Sequence, residues 1–286
     1  MWIVFAFGSA IFAGLTSILA KCGIKDADST VATAIRTIIV LLFAWLMVFI
    51  VGSQTTISQI STQTLIFLVL SGLATGAIWL CYFKALQIGD INKVVAVDKL
   101  STVLTIILAF IFLQEDVSLM KGLGVVAIFC GTYLMIDRKQ TDENKITSER
   151  WLLFAFGSAL FASLTAILGK AGISGVESNL GTAIRTGVVL VMSWVMVFVS
   201  GKQSEIKKVS KKDLFYICLS GLATGASWLC YYRALQDGLA SVVVPIDKLS
   251  IVVTVIFSYF VFHEKLSRKA LLGLLCLIGG TMLMLV

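Results

Sequence analysis

Charge is scarce in this sequence. Asp, Glu, Lys and Arg together make up 14% of its 286 residues, against 58% hydrophobic residues. A soluble domain averages about 25% charged residues, so too few are present to cover a soluble globule of this length. Lipid must supply the remaining solvent, which makes the chain an integral membrane protein. Histidine is nearly absent as well: His263 is the only one, so no His-based metal cluster can be built, and it reads as an interfacial polar residue; no His-based triad pattern appears. Six cysteines occur (Cys22, Cys81, Cys130, Cys218, Cys230 and Cys276), all in apolar runs and none in CxxC or metal-ligand spacing. They read as small packing residues. No phosphate-binding glycine loop, nucleophile elbow or zinc motif is present. The chain is therefore not expected to be an enzyme, and no cofactor or metal is implied. Proline is limited to Pro245, which is expected to bend its helix. No basic segment precedes the apolar stretch Trp2–Ala20, so that stretch is expected to be retained rather than cleaved.

What is present is one unit written twice. A shift of 149 residues aligns the halves without a gap. Thr33-Ala34-Ile35-Arg36-Thr37 recurs as Thr182-Ala183-Ile184-Arg185-Thr186, and Ser71–Gln87 matches Ser220–Gln236 at 14 of 17 positions. Such internal repeats govern the element reading. The units are 1–136 and 151–286, joined by a charged linker over 137–150. Each unit holds five apolar runs of membrane-spanning length, about 20 residues being enough to cross the hydrocarbon core. The runs are continuous rather than alternating, so they are helices and not strands. The predicted fold is all-α, with ten transmembrane helices in two five-helix repeats. An odd number of crossings makes the second repeat enter from the opposite side. The repeats are then inverted about a pseudo-twofold axis in the membrane plane, a design that places substrate near the midplane.

The basic residues suggest an orientation. Of 23 Lys and Arg, fourteen fall in connections on the side holding 137–150 and 202–212, and one, Lys121, on the other. The remaining eight are embedded. The positive-inside rule makes the rich side cytoplasmic, with both termini outside, in a cytoplasmic membrane. The net charge of +7 is then a topology signal, and nucleic acid is not a partner.

The embedded charges are the functional candidates. In the first repeat they are Lys21, Arg36, Lys84, Asp98 and Lys99, and in the second Lys170, Arg185, Arg233, Asp247 and Lys248. An ionisable group at such depth costs a few kcal/mol or more unless it faces a cavity or a partner. Inversion sets the two clusters on opposite sides of the midplane, as two gates or half-sites would lie. Asp98, Ser101, Thr102 and Thr105 form a polar stripe at helical spacing, and Asp247, Ser250 and Thr254 repeat most of it. Thr75, Trp79 and Tyr82 share a face of the third helix, matched by Thr224, Trp228 and Tyr231. Such faces suggest a central aqueous or ligand cavity. Simpler roles compete: Lys21, Lys84, Lys170 and Arg233 sit close enough to helix ends to snorkel. Asp98 with Lys99 reads equally as a structural pair, and Glu115 and Glu264 as interfacial structural residues. Gly72-x-x-x-Gly76 and Gly221-x-x-x-Gly225 are small-residue motifs that let helices approach closely.

The duplicated five-helix unit resembles the drug/metabolite transporter superfamily, in particular its EamA-type family. The segments that carry the likeness are Ser71–Gln87, Ala96–Ser101, Phe112–Ser118, Pro245–Ser250 and Phe262–Ser267. Each half also resembles the short single-unit members, which are expected to pair antiparallel. The resemblance implies ten helices, a central cavity and movement of a small metabolite by alternating access. Many ten-helix relatives are drawn with both termini cytoplasmic; the basic-loop count here points the other way. Eight embedded basic groups against two acidic ones favour an anionic or zwitterionic substrate such as an amino acid, most readily by export. Arg36 and Arg185 would hold its anionic group, and protons are a candidate coupling ion. A cation or drug exporter using Asp98, Asp247, Trp79 and Trp228, a lipid-carrier flippase, and a non-transporting scaffold are the competing classes.

Overall fold

The computed structural model describes residues 1–23, 27–88, 94, 97, 100–116, 118–135, 150–262 and 267–285. Asp98, Lys99, His263, Glu264, the side chain of Lys21 and the linker up to residue 149 lie outside them. The described residues form helices and no strand. They are α1 (Trp2–Gly23), α2 (Ser29–Val51), α3 (Thr62–Ile88), α4 (Leu100–Leu113), α5 (Leu119–Met135) and α6 (Arg150–Ile173). Next come α7 (Ser178–Val199), α8 (Lys211–Asp237), α9 (Ala240–Lys248), α10 (Ser250–Phe262) and α11 (Arg268–Leu283). Seven helical runs are long and apolar enough to cross a membrane: α1, α2, α3, α6, α7, α8 and the stretch Ala240–Phe257. Bulky apolar side chains such as Leu42, Leu46, Phe49 and Ile50 of α2 point outward. That is a surface for lipid rather than water.

The helix ends follow local chemistry that recurs in both halves. Asp28 caps α2 by accepting from the Thr30 and Val31 N–H groups, and its counterpart Glu177 accepts from Leu180 N–H at the start of α7. These carboxylates satisfy donors that the first helical turn leaves open. Gly52 (φ 79°) and Gly201 (φ 66°) follow α2 and α7 in the left-handed region, where a side chain would be strained. Pro245 lies inside α9, and the helical run is interrupted at Leu249 before α10 begins. Proline supplies no N–H to the preceding turn and its ring crowds the carbonyl there, so its own effect falls before position 245; the break at Leu249 lies after it and is not explained by the proline.

The helices of one half pack mainly on those of the other. Ser9 and Thr16 of α1 meet Ser227 and Ser220 of α8, so the two run antiparallel. Ser71 of α3 donates to the Thr165 carbonyl of α6 at 2.9 Å, and Leu68 lies against Gly172, which is antiparallel again. A Cβ added at Gly72 would stand 3.1 Å from the Arg185 carbonyl oxygen, and one at Gly221 would stand 3.1 Å from that of Arg36. The two small-residue motifs therefore bring α7 onto α3 and α2 onto α8, across the repeats. Ser71 on the Thr165 carbonyl matches Ser220 on that of Thr16, and Gly72 on Arg185 matches Gly221 on Arg36, so these contacts recur at the 149-residue offset with the halves exchanged.

Two embedded charges act on helix ends. Glu115 is 7% exposed, and its oxygens accept from Ala240 N–H at 2.6 Å and Ser241 N–H at 2.9 Å. It thus caps α9 from the end of α4, a structural role as expected, but buried rather than interfacial. A cap of this kind is worth about 1 kcal/mol or more. Lys170 Nζ donates to the carbonyls of Leu235, Gln236 (3.3 Å) and Gly238 (2.8 Å), satisfying orphan acceptors at the C-terminus of α8.

Candidate functional site

The site is built around Arg185, because a guanidinium is always charged and here is 3% exposed. Its Nε donates to Ser71 Oγ at 3.0 Å and its Nη2 to Thr75 Oγ1 at 2.6 Å. Ser71 and Thr75 stand four residues apart on α3, one turn of the same face. The absent side chain of Gly72 lets the backbone of α7 approach closely enough for both bonds to form. The guanidinium carbon also lies 5.0 Å from the ring centre of Trp228 and 4.9 Å from that of Tyr232. Cation–π contacts of this kind strengthen when desolvated. The third nitrogen has no such partner: Nη1 is buried with no hydrogen bond. Arg185 is thus a cation held across the repeat boundary with one nitrogen left over.

Polar groups continue from there toward α9. Tyr232 meets Tyr231 edge-on at 5.2 Å. Asp247, two residues past Pro245, accepts from Ser9 Oγ at 2.6 Å, and Ser9 Oγ lies 3.3 Å from Ser227 Oγ. The structure thus sets Arg185, Trp228, Tyr231 and Asp247 on one side of α8, with hydroxyls of α1 and α3 closing the group. Chemically this is a charged, hydroxyl-rich and aromatic lining, suited to a small polar ligand.

Arg36 is the counterpart of Arg185 and is placed differently. It is partly buried and lines a cavity of about 50 Å³ with Thr30, Thr33, Trp79, Ser193 and Met196. Among the described residues its guanidinium makes no hydrogen bond and no ion pair. At the same end, Lys202 Nζ bonds Asp28 Oδ2 at 2.7 Å and Thr30 Oγ1 at 3.1 Å, tying the loop after α7 to the start of α2. Burial raises the Asp28 carboxyl, and the Lys202 ammonium with the Thr30 and Val31 N–H groups more than offsets this, leaving it below the usual carboxylate range. At the opposite end a wider crevice of about 440 Å³ lies among Phe5, Phe43, Met47, Asn179, Leu229 and Arg233.

The other sequence candidates scatter. Arg233 pairs with Asp237 at 3.2 Å on its own helix, Lys84 is exposed, and Tyr82 and Lys248 are partly buried. Lys170 serves the end of α8, as described. Ser101, Thr102 and Thr105 face inward, and Thr105 Oγ1 donates to the Ser101 carbonyl of its own helix at 2.8 Å. That bond satisfies the hydroxyl without a water-filled cavity. Residues that sequence reasoning passed over are Ser9, Thr16, Ser71, Thr165 and Tyr232. All but Tyr232 are hydroxyls preserved between the two halves, a signal that a residue-by-residue comparison of the repeats carries.

Comparison with known proteins agrees with this architecture. The model of the EamA-like transporter family matches the chain twice, over residues 1–137 and 149–286. An uncharacterized transporter from the cobO 3' region of a Sinorhizobium species is 44% identical over 137 residues, which is 48% of this chain and 97% of that protein. The uncharacterized transporter YxxF of Bacillus subtilis is 23% identical over 64% of this chain, and the uncharacterized transporter sll1164 of Synechocystis is 23% identical over 70% of it. The matched regions span 58% and 59% of those two relatives' lengths. One solved crystal structure covers 98% of this chain and 95% of its own at a TM-score of 0.79 with 14% identity, which is a likeness of fold. The two matches of the family model take in nearly every residue, and the chain belongs to the EamA-like transporter family.

Proposed function

We propose that the protein is a secondary transporter that moves a small anionic or zwitterionic metabolite, such as an amino acid, across the cytoplasmic membrane by alternating access. Ten helices in two inverted repeats form the translocation unit. The exchange of matched contacts between the halves supports this, as does the relative in which a single unit makes up nearly the whole protein. The observation that carries the substrate class is the buried guanidinium of Arg185, with Nη1 unpaired, opposite an equivalent Arg36 that faces a cavity. Two permanent cations near the repeat interface favour a carboxylate or phosphate. A cationic substrate is less compatible, since the ring of Trp228 already carries Arg185. Asp247 with Lys248 flanks the path, where Asp247 holds Ser9 or relays a proton, and the sequence repeat suggests the same role for Asp98 with Lys99.

Thermal melting of the purified protein across acidic, zwitterionic, phosphorylated and quaternary-ammonium compounds tests the substrate class. Acidic or zwitterionic compounds are expected to raise the melting temperature, as any ligand of the folded state does. Stabilisation by quaternary ammonium compounds alone would replace this reading with a cation exporter. Response to lipid phosphates alone would make the protein a flippase. The basic-loop count supports both termini outside. Single cysteines at the exposed loop positions Ser58 and Lys208 in a chain free of other cysteines test this. In intact cells an impermeant thiol reagent is expected to modify position 58 and spare 208; the reverse pattern inverts the topology.

A further inference from the structure

The two halves hold the same side chains in two different arrangements. Beside Arg36, Thr224 Oγ1 lies 3.3 Å from Thr16 Oγ1, and Ser220 Oγ donates to the Thr16 carbonyl at 3.3 Å. Beside Arg185, Ser71 Oγ keeps the equivalent bond to the Thr165 carbonyl at 2.9 Å, but Thr75 Oγ1 accepts from the guanidinium at 2.6 Å. Thr165 Oγ1, the counterpart of Thr16, is then buried without any hydrogen bond. The hydrogen-bonding participants are identical in sequence (Thr16 and Thr165, Ser71 and Ser220, Thr75 and Thr224), and so are Trp79 and Trp228, whereas Tyr232, which also packs on Arg185, stands where the first half has Phe83. The same hydroxyls thus support either arrangement. The backbone of each arginine stands equally close to its facing glycine, Gly221 or Gly72. Arg36 can therefore reach Ser220 and Thr224 by side-chain rotation, as Arg185 has reached Ser71 and Thr75.

We propose that Thr75 and Thr224 are alternating ligands that decide which arginine is free to hold an anion. Each hydroxyl binds either the threonine of the facing α1 or α6 helix or the arginine of the facing α2 or α7 helix. One arginine is held by the protein while the other is open to substrate. This rests on the reading of Arg36 and Arg185 as the anion-binding pair. The cavities follow the same exchange. The crevice of about 440 Å³ is lined by Asn179 and Met47; their counterparts Thr30 and Met196 line the cavity of about 50 Å³. The wide crevice thus lies at the end where the arginine is drawn away onto its hydroxyls. In the reverse state Arg36 takes Ser220 and Thr224, Thr75 returns to Thr165, and the wide crevice forms beside Thr30. Both arrangements of a bistable element are visible in one molecule, which is the physical requirement for a switch.

Thiol accessibility tests the exchange without any ligand. Single cysteines replace Thr33 or Asn179 in a chain whose six native cysteines are alanine, and labelling rates by a charged methanethiosulfonate are compared. Thr75→Val removes the hydroxyl that holds Arg185. Labelling at position 33 is expected to rise relative to position 179 by about tenfold, the equilibrium shift for one charge-assisted hydrogen bond. Thr165→Val removes a buried hydroxyl that has no partner in this state. It is expected to melt higher and to shift the ratio the other way. Thr75→Ser keeps the hydroxyl and the wild-type ratio. An unchanged ratio in Thr75→Val, or shifts of the same sign in Thr75→Val and Thr165→Val, overturns the switch. Should Thr75→Val fail to fold, an unchanged or oppositely shifted ratio in Thr165→Val overturns it. In each of these cases loss of transport in Arg36→Gln would still stand for the anion-binding role alone.

Discussion

Arg36→Gln is expected to fold normally and to lose transport, whereas Arg185→Gln loses transport and stability together. The two positions are equivalent in sequence, so the difference comes from what each guanidinium touches. Arg185 satisfies the Ser71 and Thr75 hydroxyls and packs on two aromatic rings. Its removal gives up two charge-assisted hydrogen bonds and both ring contacts and opens a void, while Ser71 and Thr75 keep their bonds to the Thr165 and Ser71 carbonyls. A hydrogen bond to a charged group is worth roughly 1.5–3 kcal/mol, enough to lower the melting temperature by several degrees. Among the described residues Arg36 has no hydrogen-bond partner to strand, and its replacement by a neutral amide of shorter reach removes a desolvated charge. Melting temperature should therefore hold or rise. Counterflow in proteoliposomes, with the acidic compound that best stabilises the wild type, reads the functional half. Wild-type exchange by Arg36→Gln sinks its proposed role, and an unchanged melting temperature in Arg185→Gln refutes the brace.

Gly131→Leu is expected to leave little folded protein. A Cβ there would stand 2.5 Å from the Gly273 carbonyl oxygen and 2.7 Å from the Leu277 amide nitrogen. Both are backbone atoms of α11, which cannot swing aside as a side chain can. The reciprocal contact has the same character: Gly280 lies against the backbone of Gly124 and Ile128. Lipid tails are as apolar as leucine, so close packing and not burial holds such helices together. Forcing α5 and α11 apart gives up that packing along their length, and overpacking adds about 1–3 kcal/mol. Gly122→Leu is the control, since nothing lies within 4 Å of a Cβ at that position. Equal yields of monodisperse protein from the two variants in size-exclusion chromatography would show that the crossing is not close-packed.

The glycines show how far sequence reading carries. Small-residue spacing at Gly72 and Gly76 identifies a close helix contact, because larger side chains would hold the backbones apart. It does not name the partner, which is α7 and comes from the other repeat. The acidic and basic residues divide in the same way. Glu115 and Lys170 read from sequence as residues near helix ends, whereas depth in an apolar run marks Arg185 as costly. Their uses differ: a cap on α9, an acceptor set at the end of α8, and a charge held by hydroxyls and rings. Each partner lies on a helix distant in the chain, 125, 68 and 110 residues away, so no local spacing could announce it.

Composition by itself made this a membrane protein, since 14% charged residues cannot solvate a chain of this length. The 149-residue repeat by itself made it two copies of one helical unit, and the pattern within the repeat picked out Arg36 and Arg185. Tertiary structure alone decided that the copies pack through each other rather than side by side. It also decided that two arginines facing the same pair of hydroxyl residues hold unequal positions. The reason is physical: Thr75 can bond Arg185 or Thr165 but has bonded one, and Thr224 has kept the other choice. A sequence specifies which bonds are available; which of two available bonds forms depends on the conformation the whole bundle has adopted.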